Sequence, residues 1–193
     1  MKKQCSNIRN ELKCALHDPS KTDSPWDTFF LTNCKEHDTS FTPKFSEESG
    51  GLSQITPGPI IGIHCTGSFC DNKAFKYINS DLINSSGGTW TGWFSDETAG
   101  EHYCPSGKVV NQIECSGRYC DNMRLFCSSM KSEYRVVYGN NHRVGWFSDE
   151  HGMNVCPNGY YLIGLDSVGK YSDSIKLICA FVEYKPALVR KMP

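Results

Sequence analysis

The chain contains no apolar run approaching the roughly 18 residues that a membrane-spanning helix needs, so no transmembrane segment is expected. Charge of one sign is also lacking: the net charge is −1 over 193 residues, with both signs interspersed. That leaves no electrostatic footprint for nucleic acid or anionic lipid, and no nucleic-acid partner is expected. Catalytic signatures are scarce. There is no Gly-x-Ser-x-Gly elbow, no P-loop and no dinucleotide fingerprint. The histidines at 17, 37, 64, 102, 142 and 151 form no H-E-x-x-H or similar ligand spacing, so neither a metal nor another cofactor is expected. No apolar segment follows Met1-Lys-Lys3, which reads as a cytosolic start or as a mature chain whose leader was removed.

What is present points to a turn-rich β protein: 17 Gly, nine Tyr, ten Phe and four Trp. Eleven cysteines are many for a reducing compartment and ordinary for an oxidising one. A secreted, extracellular or periplasmic location is therefore expected.

From Phe41 onward the sequence repeats. Phe45-Ser-Glu-Glu48 matches Phe94-Ser-Asp-Glu97 and Phe147-Ser-Asp-Glu150. The interval from this Phe to Cys65, Cys115 and Ser167 is 20, 21 and 20 residues. A motif and an interval that recur together argue for internal triplication. The expected units are 41–89, 90–141 and 142–185, forming one domain over 41–185 with a tail at 186–193. In the second unit, 108–115, 123–130, 134–138 and 143–147 read as short strands, with Asn140-Asn141 and the Gly87-Gly88 run as matching turns. Each unit then has four strands. Residues 1–40 stand apart as an N-terminal extension. Ile8, Leu12 and Leu16 recur at every fourth position after a candidate N-cap, Ser6, which predicts a short helix over 6–17. An apolar patch at Trp26, Phe29, Phe30 and Leu31 follows it. The extension is expected to pack on the main domain or to serve as an arm for a protein partner.

Comparing the units assigns the cysteines. Cys115 and Cys120 fall on Ser167 and Ser172 in the third unit, so both are lost together. Cys104 and Cys127 fall near Gln54 and on Tyr77 in the first, again lost together. Joint loss is what a bonded pair predicts, because a leftover thiol stabilises nothing. The expected disulfides are Cys65–Cys70, Cys115–Cys120, Cys104–Cys127 and Cys156–Cys179. Zinc is the competing use of a C-x₄-C pair, but a four-cysteine site would not persist with two ligands. Cys5, Cys14 and Cys34 remain, an odd number.

The pattern Trp-x-x-Trp, Cys-Pro-x-Gly, Asp-Asn-x-x-Leu-x-Cys is carried here by Trp90, Trp93, Cys104, Gly107, Asp121, Asn122, Leu125 and Cys127. It recurs at Trp146, Cys156, Gly159, Asp173, Leu177 and Cys179. It resembles the vitelline membrane outer layer protein I family over about residues 41–185. The resemblance implies an all-β prism of three four-stranded antiparallel sheets about a pseudo-threefold axis. The chain departs from that family in its compact Cys115-to-Cys120 loop and its N-terminal extension. The C-terminal domain of apicomplexan perforin-like proteins, which attaches to membranes, is a second triplicated, cysteine-bearing β-prism. The β-trefoil lectins share the unit length, but their repeated Gln-x-Trp is missing.

Candidate ligand residues cluster in the inner loops: Phe69, Asp71 and Asn72; Arg118, Tyr119, Asp121 and Asn122; Tyr171 and Asp173. A ring beside Asp and Asn offers a sugar an apolar face and groups that orient hydroxyls. The competing readings are core filling for the rings and Asx turns for the Asp-Asn pairs. The acidic pairs Glu47-Glu48, Asp96-Glu97 and Asp149-Glu150 read as turn caps, or as calcium or hydroxyl ligands. Trp90, Trp93 and Trp146 are expected to fill the interior. Asn84 heads a glycosylation sequon. The expected function is a non-enzymatic binding module for a glycan or a surface. The other reading is a structural subunit of an extracellular coat or cell-envelope assembly. Were the chain a glycosidase, Asp96, Glu97 and Asp149 would be the carboxylates to test.

Overall fold

Three hairpins carry the fold, and each has the same irregular burial pattern. Ile60, Ile63 and Cys65 face the core on one strand; Val110, Ile113 and Cys115 do so on a second, and Leu162, Leu165 and Ser167 on a third. Strict alternation would turn every second residue inward. The spacing of three and then two requires one extra residue, and pairing slips at Ile61, Asn111 and Ile163. A bulge at each of these positions returns the following residues to the inner face.

The structure is a computed structural model that describes residues 2–8, 11–17, 37–84, 86–95, 97–98, 100–148 and 152–184, with backbone alone for 2–8, 11–17 and 140. It is predominantly β, with three sheets, a separate hairpin and four disulfides. In chain order the strands are β1 (Lys2–Ile8), β2 (Glu11–His17), β3 (Thr39–Phe41), β4 (Ile60–Thr66), β5 (Asn72–Ile78), β6 (Thr89–Trp90) and β7 (His102–Tyr103). They continue with β8 (Lys108–Ser116), β9 (Asn122–Ser129), β10 (Tyr134–Phe147), β11 (Met153–Val155), β12 (Tyr160–Val168) and β13 (Ser174–Tyr184).

The first sheet runs β11-β4-β5-β3, the second β6-β9-β8, and the third β10-β13-β12-β7. The edge strands are exchanged in a cycle. The segment leading into β4 docks on β8 of the second sheet, where the Thr56 N–H donates to the Asn111 carbonyl at 3.0 Å. β7, which leads into β8, pairs with β12 of the third sheet, and the Cys104 N–H donates to the Ile163 carbonyl at 2.8 Å. β11, which leads into β12, pairs with β4 of the first sheet, and the Cys156 N–H donates to the Ile61 carbonyl at 2.7 Å. The acceptor is the bulge residue each time.

This exchange redefines the outer disulfides. Cys104 docks on the third sheet and bonds Cys127 in the second; Cys156 docks on the first and bonds Cys179 in the third. Each bond staples one sheet to the next rather than closing a single hairpin. The remaining seam has Thr56 at the corresponding place, and its hydroxyl donates to the carbonyls of Gly58 and Asn111 at 2.6 and 2.9 Å. The main core draws on all three sheets, with Phe75, Ile113, Leu125, Leu162 and Leu177 fully buried beside the four disulfides.

Three expectations change. The helix over 6–17 is instead the antiparallel hairpin β1–β2, in which Cys5 stands opposite Cys14. Leu12 and Leu16, four apart, satisfy strand alternation as well as a helical period. The strands expected at 134–138 and 143–147 join into β10, whose pairing to β13 breaks between Val137 and His142. The chain divides at Asp38, so the main unit begins at Thr39. The patch at 26–31, Cys34 and the tail at 186–193 lie outside the described residues.

Candidate functional site

Each hairpin ends in a tight turn: tip 1 at Ser68–Cys70, tip 2 at Arg118–Cys120 and tip 3 at Lys170–Ser172. The turns share one uncommon backbone. Gly67, Gly117 and Gly169 enter with φ of 79°, 76° and 83° and ψ near 175°, a region essentially reserved for glycine. Two non-glycine residues in the left-handed region follow: Phe69-Cys70, Tyr119-Cys120 and Tyr171-Ser172, with φ between 55° and 62°. Side chains resist this conformation by roughly 1–3 kcal/mol per residue, so surrounding contacts must hold it.

Those contacts are visible. Cys65–Cys70 and Cys115–Cys120 span the first two tips with Cα–Cα distances of 4.8 and 4.9 Å. In tip 3 the same positions are Ser167 and Ser172, whose hydroxyls lie 3.4 Å apart. The Asn72 and Asn122 amides donate to the Asp71 and Asp121 carboxylates at 2.6 and 2.7 Å. A Cβ added to Gly67, Gly117 or Gly169 would lie 2.0–2.1 Å from the Asp71, Asp121 or Asp173 carboxylate oxygen, so each Asp fills the space beneath its glycine. Each Asp-Asn pair thereby locks its own turn.

The tips meet. The ring centroids of Phe69 and Tyr119 are 5.2 Å apart, those of Phe69 and Tyr171 5.3 Å, and those of Tyr119 and Tyr171 5.0 Å. All three rings are half-buried against one another, in the tilted and edge-on arrangements that the aromatic quadrupole favours. Tip 3 also bonds tip 2, the Ser172 hydroxyl donating to the Asp121 carbonyl at 2.9 Å. Two cations lie over the cluster. The Arg118 guanidinium carbon is 5.0 Å from the Tyr119 centroid and 5.5 Å from that of Tyr171. The Lys170 ammonium is 5.1 Å from Tyr171 and 5.9 Å from Phe69. The corresponding residue of tip 1 is Ser68, so two tips are cationic and one is neutral.

Sequence reasoning missed what lies beneath this apex. Lys73 is 1% exposed, at the place that Met123 and Ile175 occupy in the other hairpins. Its ammonium donates to the Cys70 carbonyl at 2.5 Å. Burial pushes its pKa down from 10.5 to about 8, against the attraction of Asp71, Glu47 and Asp121. Glu47 accepts the Tyr119 N–H at 2.7 Å and so caps the neighbouring tip. Asp96, Asp149 and Glu150 lie outside the described residues.

The described tryptophans, Trp90, Trp93 and Trp146, are not in the core. Trp93 and Trp146 are 43% and 46% exposed, while Phe94 and Phe147 beside them are 1% and 3% exposed. Adjacent strand residues face opposite ways, and in each Trp-Phe pair the Phe turns inward. Arg124 lies 4.6 and 4.7 Å from the Trp90 and Trp93 centroids and pairs with Glu114 at 2.5 Å. Lys176 lies 4.7 Å from Trp146 and pairs with Asp166 at 2.8 Å. Glu101 joins that second group through Lys176 at 3.5 Å, and hydrogen bonds from Arg143 hold its carboxyl down at about 2.

Among the described residues no group of three or more His, Cys, Asp or Glu is placed to hold a metal ion. No described helix is long and apolar enough to cross a membrane. Four disulfides suit an oxidising compartment. No family model, curated protein or solved structure matches the chain.

Proposed function

We propose that the chain is a non-enzymatic binding module, secreted or exposed at a cell envelope, whose three hairpins are repeats of one unit closed into a β-prism. Its ligand surface is the apex where the tips converge, and the ligand is a glycan. The contact of Phe69, Tyr119 and Tyr171 carries this reading. Three turns held in a conformation that resists side chains bring an aromatic platform to one end of the domain, with the Arg118 and Lys170 cations on it. Strain of this kind persists only where surroundings impose it, and such positions cluster at functional sites. Aromatic faces stack on the C–H faces of sugar rings, and polar groups at the rim orient hydroxyls.

A glycan array tests the proposal. The intact protein binds a defined subset of glycans, and Tyr119→Ala and Tyr171→Ala each abolish the signal while retaining the disulfides. An array without hits, or binding unchanged in both variants, refutes it.

A further inference from the structure

The apex differs from the other charged clusters in that its cations have no carboxylate partner among the described residues. Four arginines lie among the described residues, and three are paired: Arg124 with Glu114 at 2.5 Å, Arg135 with Glu183 at 2.9 Å and Arg143 with Glu101 at 2.5 Å. Arg118 has instead the Tyr119 hydroxyl at 3.3 Å and two aromatic faces. Lys170 likewise lies over rings, and no described carboxylate is within ion-pair distance of it. The tip carboxylates do not answer these charges. Asp71 and Asp121 are held beneath their glycines by Asn72 and Asn122, Asp173 is turned under Gly169 in the same way, and Glu47 takes the Tyr119 N–H. Both cations approach one ring, that of Tyr171, so they flank a single spot on the apex.

A guanidinium fork matches the two oxygens of a carboxylate or a sulfate, and a cation over aromatic rings is less hydrated than one in open water. We propose that the ligand is an acidic glycan: its carboxylate or sulfate is received between Arg118 and Lys170 while its sugar ring lies on the Tyr119–Tyr171 pair. This specifies the ligand class within the apex reading and rests on it. Because Ser68 replaces the cation in tip 1, the acid-binding side is fixed and the glycan is held in one orientation.

The test uses the full chain with two pairs of probes: polygalacturonate against its methyl ester, and heparin against its desulfated form. Vesicles containing phosphatidylserine form a third arm. The acidic member of at least one pair binds at least about tenfold more tightly than its neutralised form, because neutralising the acid removes its charge-assisted hydrogen bonds. A preference within the first pair assigns a carboxylate ligand, and one within the second a sulfate. Arg118→Met and Lys170→Met each remove most of that preference without altering thermal unfolding, while Arg135→Met on the third sheet leaves it intact. Equal binding of acidic and neutral forms, with Tyr171→Ala still abolishing it, overturns the acidic-ligand proposal and leaves the apex reading standing. Binding to vesicles but to no glycan overturns it in favour of a membrane surface. Binding to no probe and no glycan refutes both readings.

Discussion

Lys73→Met isolates the energetic consequence of placing an amine where the other two hairpins have Met123 and Ile175. Lys73 is 1% exposed, and burial lowers its pKa from 10.5 to about 8. At 1.36 kcal/mol per pH unit, that displacement corresponds to about 3 kcal/mol of differential stability. The sign follows from proton linkage. Between pH 8 and 10.5 the unfolded chain holds the lysine proton and the folded chain does not, so this group makes stability rise with pH. Below pH 8 both states hold the proton, and the folded state bears the full cost of a buried ammonium. The variant lacks this slope. It also loses the hydrogen bond to the Cys70 carbonyl, which shifts its curve by a constant. Urea unfolding of both proteins from pH 7 to 10.5 checks the reasoning. The stability of the variant relative to wild type falls by about 3 kcal/mol across that range, on the linkage relation. Parallel curves would show that Lys73 titrates as in water, and would refute the burial argument.

Other substitutions probe the tips and the core. Ser167→Cys with Ser172→Cys gives tip 3 the bond that tips 1 and 2 already have; non-reducing mass spectrometry detects one disulfide more than in the wild type, and stability rises by about 2 kcal/mol for so short a loop. Gly117→Ala forces a Cβ to within 2.0 Å of the Asp121 carboxylate at a φ of 76°. It costs at least about 2 kcal/mol in denaturant unfolding and abolishes glycan binding. Phe147→Ala costs about 3–5 kcal/mol as a buried truncation, whereas Trp146→Ala on the exposed face costs about 1 kcal/mol or less. Equal costs would contradict the assigned faces.

The disulfides were legible because the units expected from the sequence act as internal controls: cysteines vanish in pairs, at Ser167 with Ser172 and near Gln54 with Tyr77. The strands of the hairpins were legible to within a residue or so, since β-branched and aromatic residues are bounded by Gly and Asx turns. The cyclic exchange was not legible. β7 and β11 are two and three residues long, and their partners are distant in sequence, so no local pattern records them. The helix over 6–17 failed because a spacing of four fits both periods. The tryptophans were misplaced because size was taken as a sign of burial, when the Trp-Phe dipeptide alternates on a strand and only one ring can face inward. At the site, the rings of Phe69, Tyr119 and Tyr171 were singled out from the repeat, but each was taken as a separate edge. Their meeting depends on closure of the three sheets. Lys170 aligns with Arg118 at the same offset that aligns Tyr171 with Tyr119, so the signal was present and unused. Lys73 could not be placed without knowing which face of β5 is buried.

One apex built from three tips is the central claim, and an amide-resolved NMR titration of the intact protein with polygalacturonate and heparin tests it directly. The account predicts that resonances of residues 67–72, 117–122 and 169–174 shift together with one dissociation constant. Shifts confined to the faces around Trp93 or Trp146, or to a single tip, would contradict it.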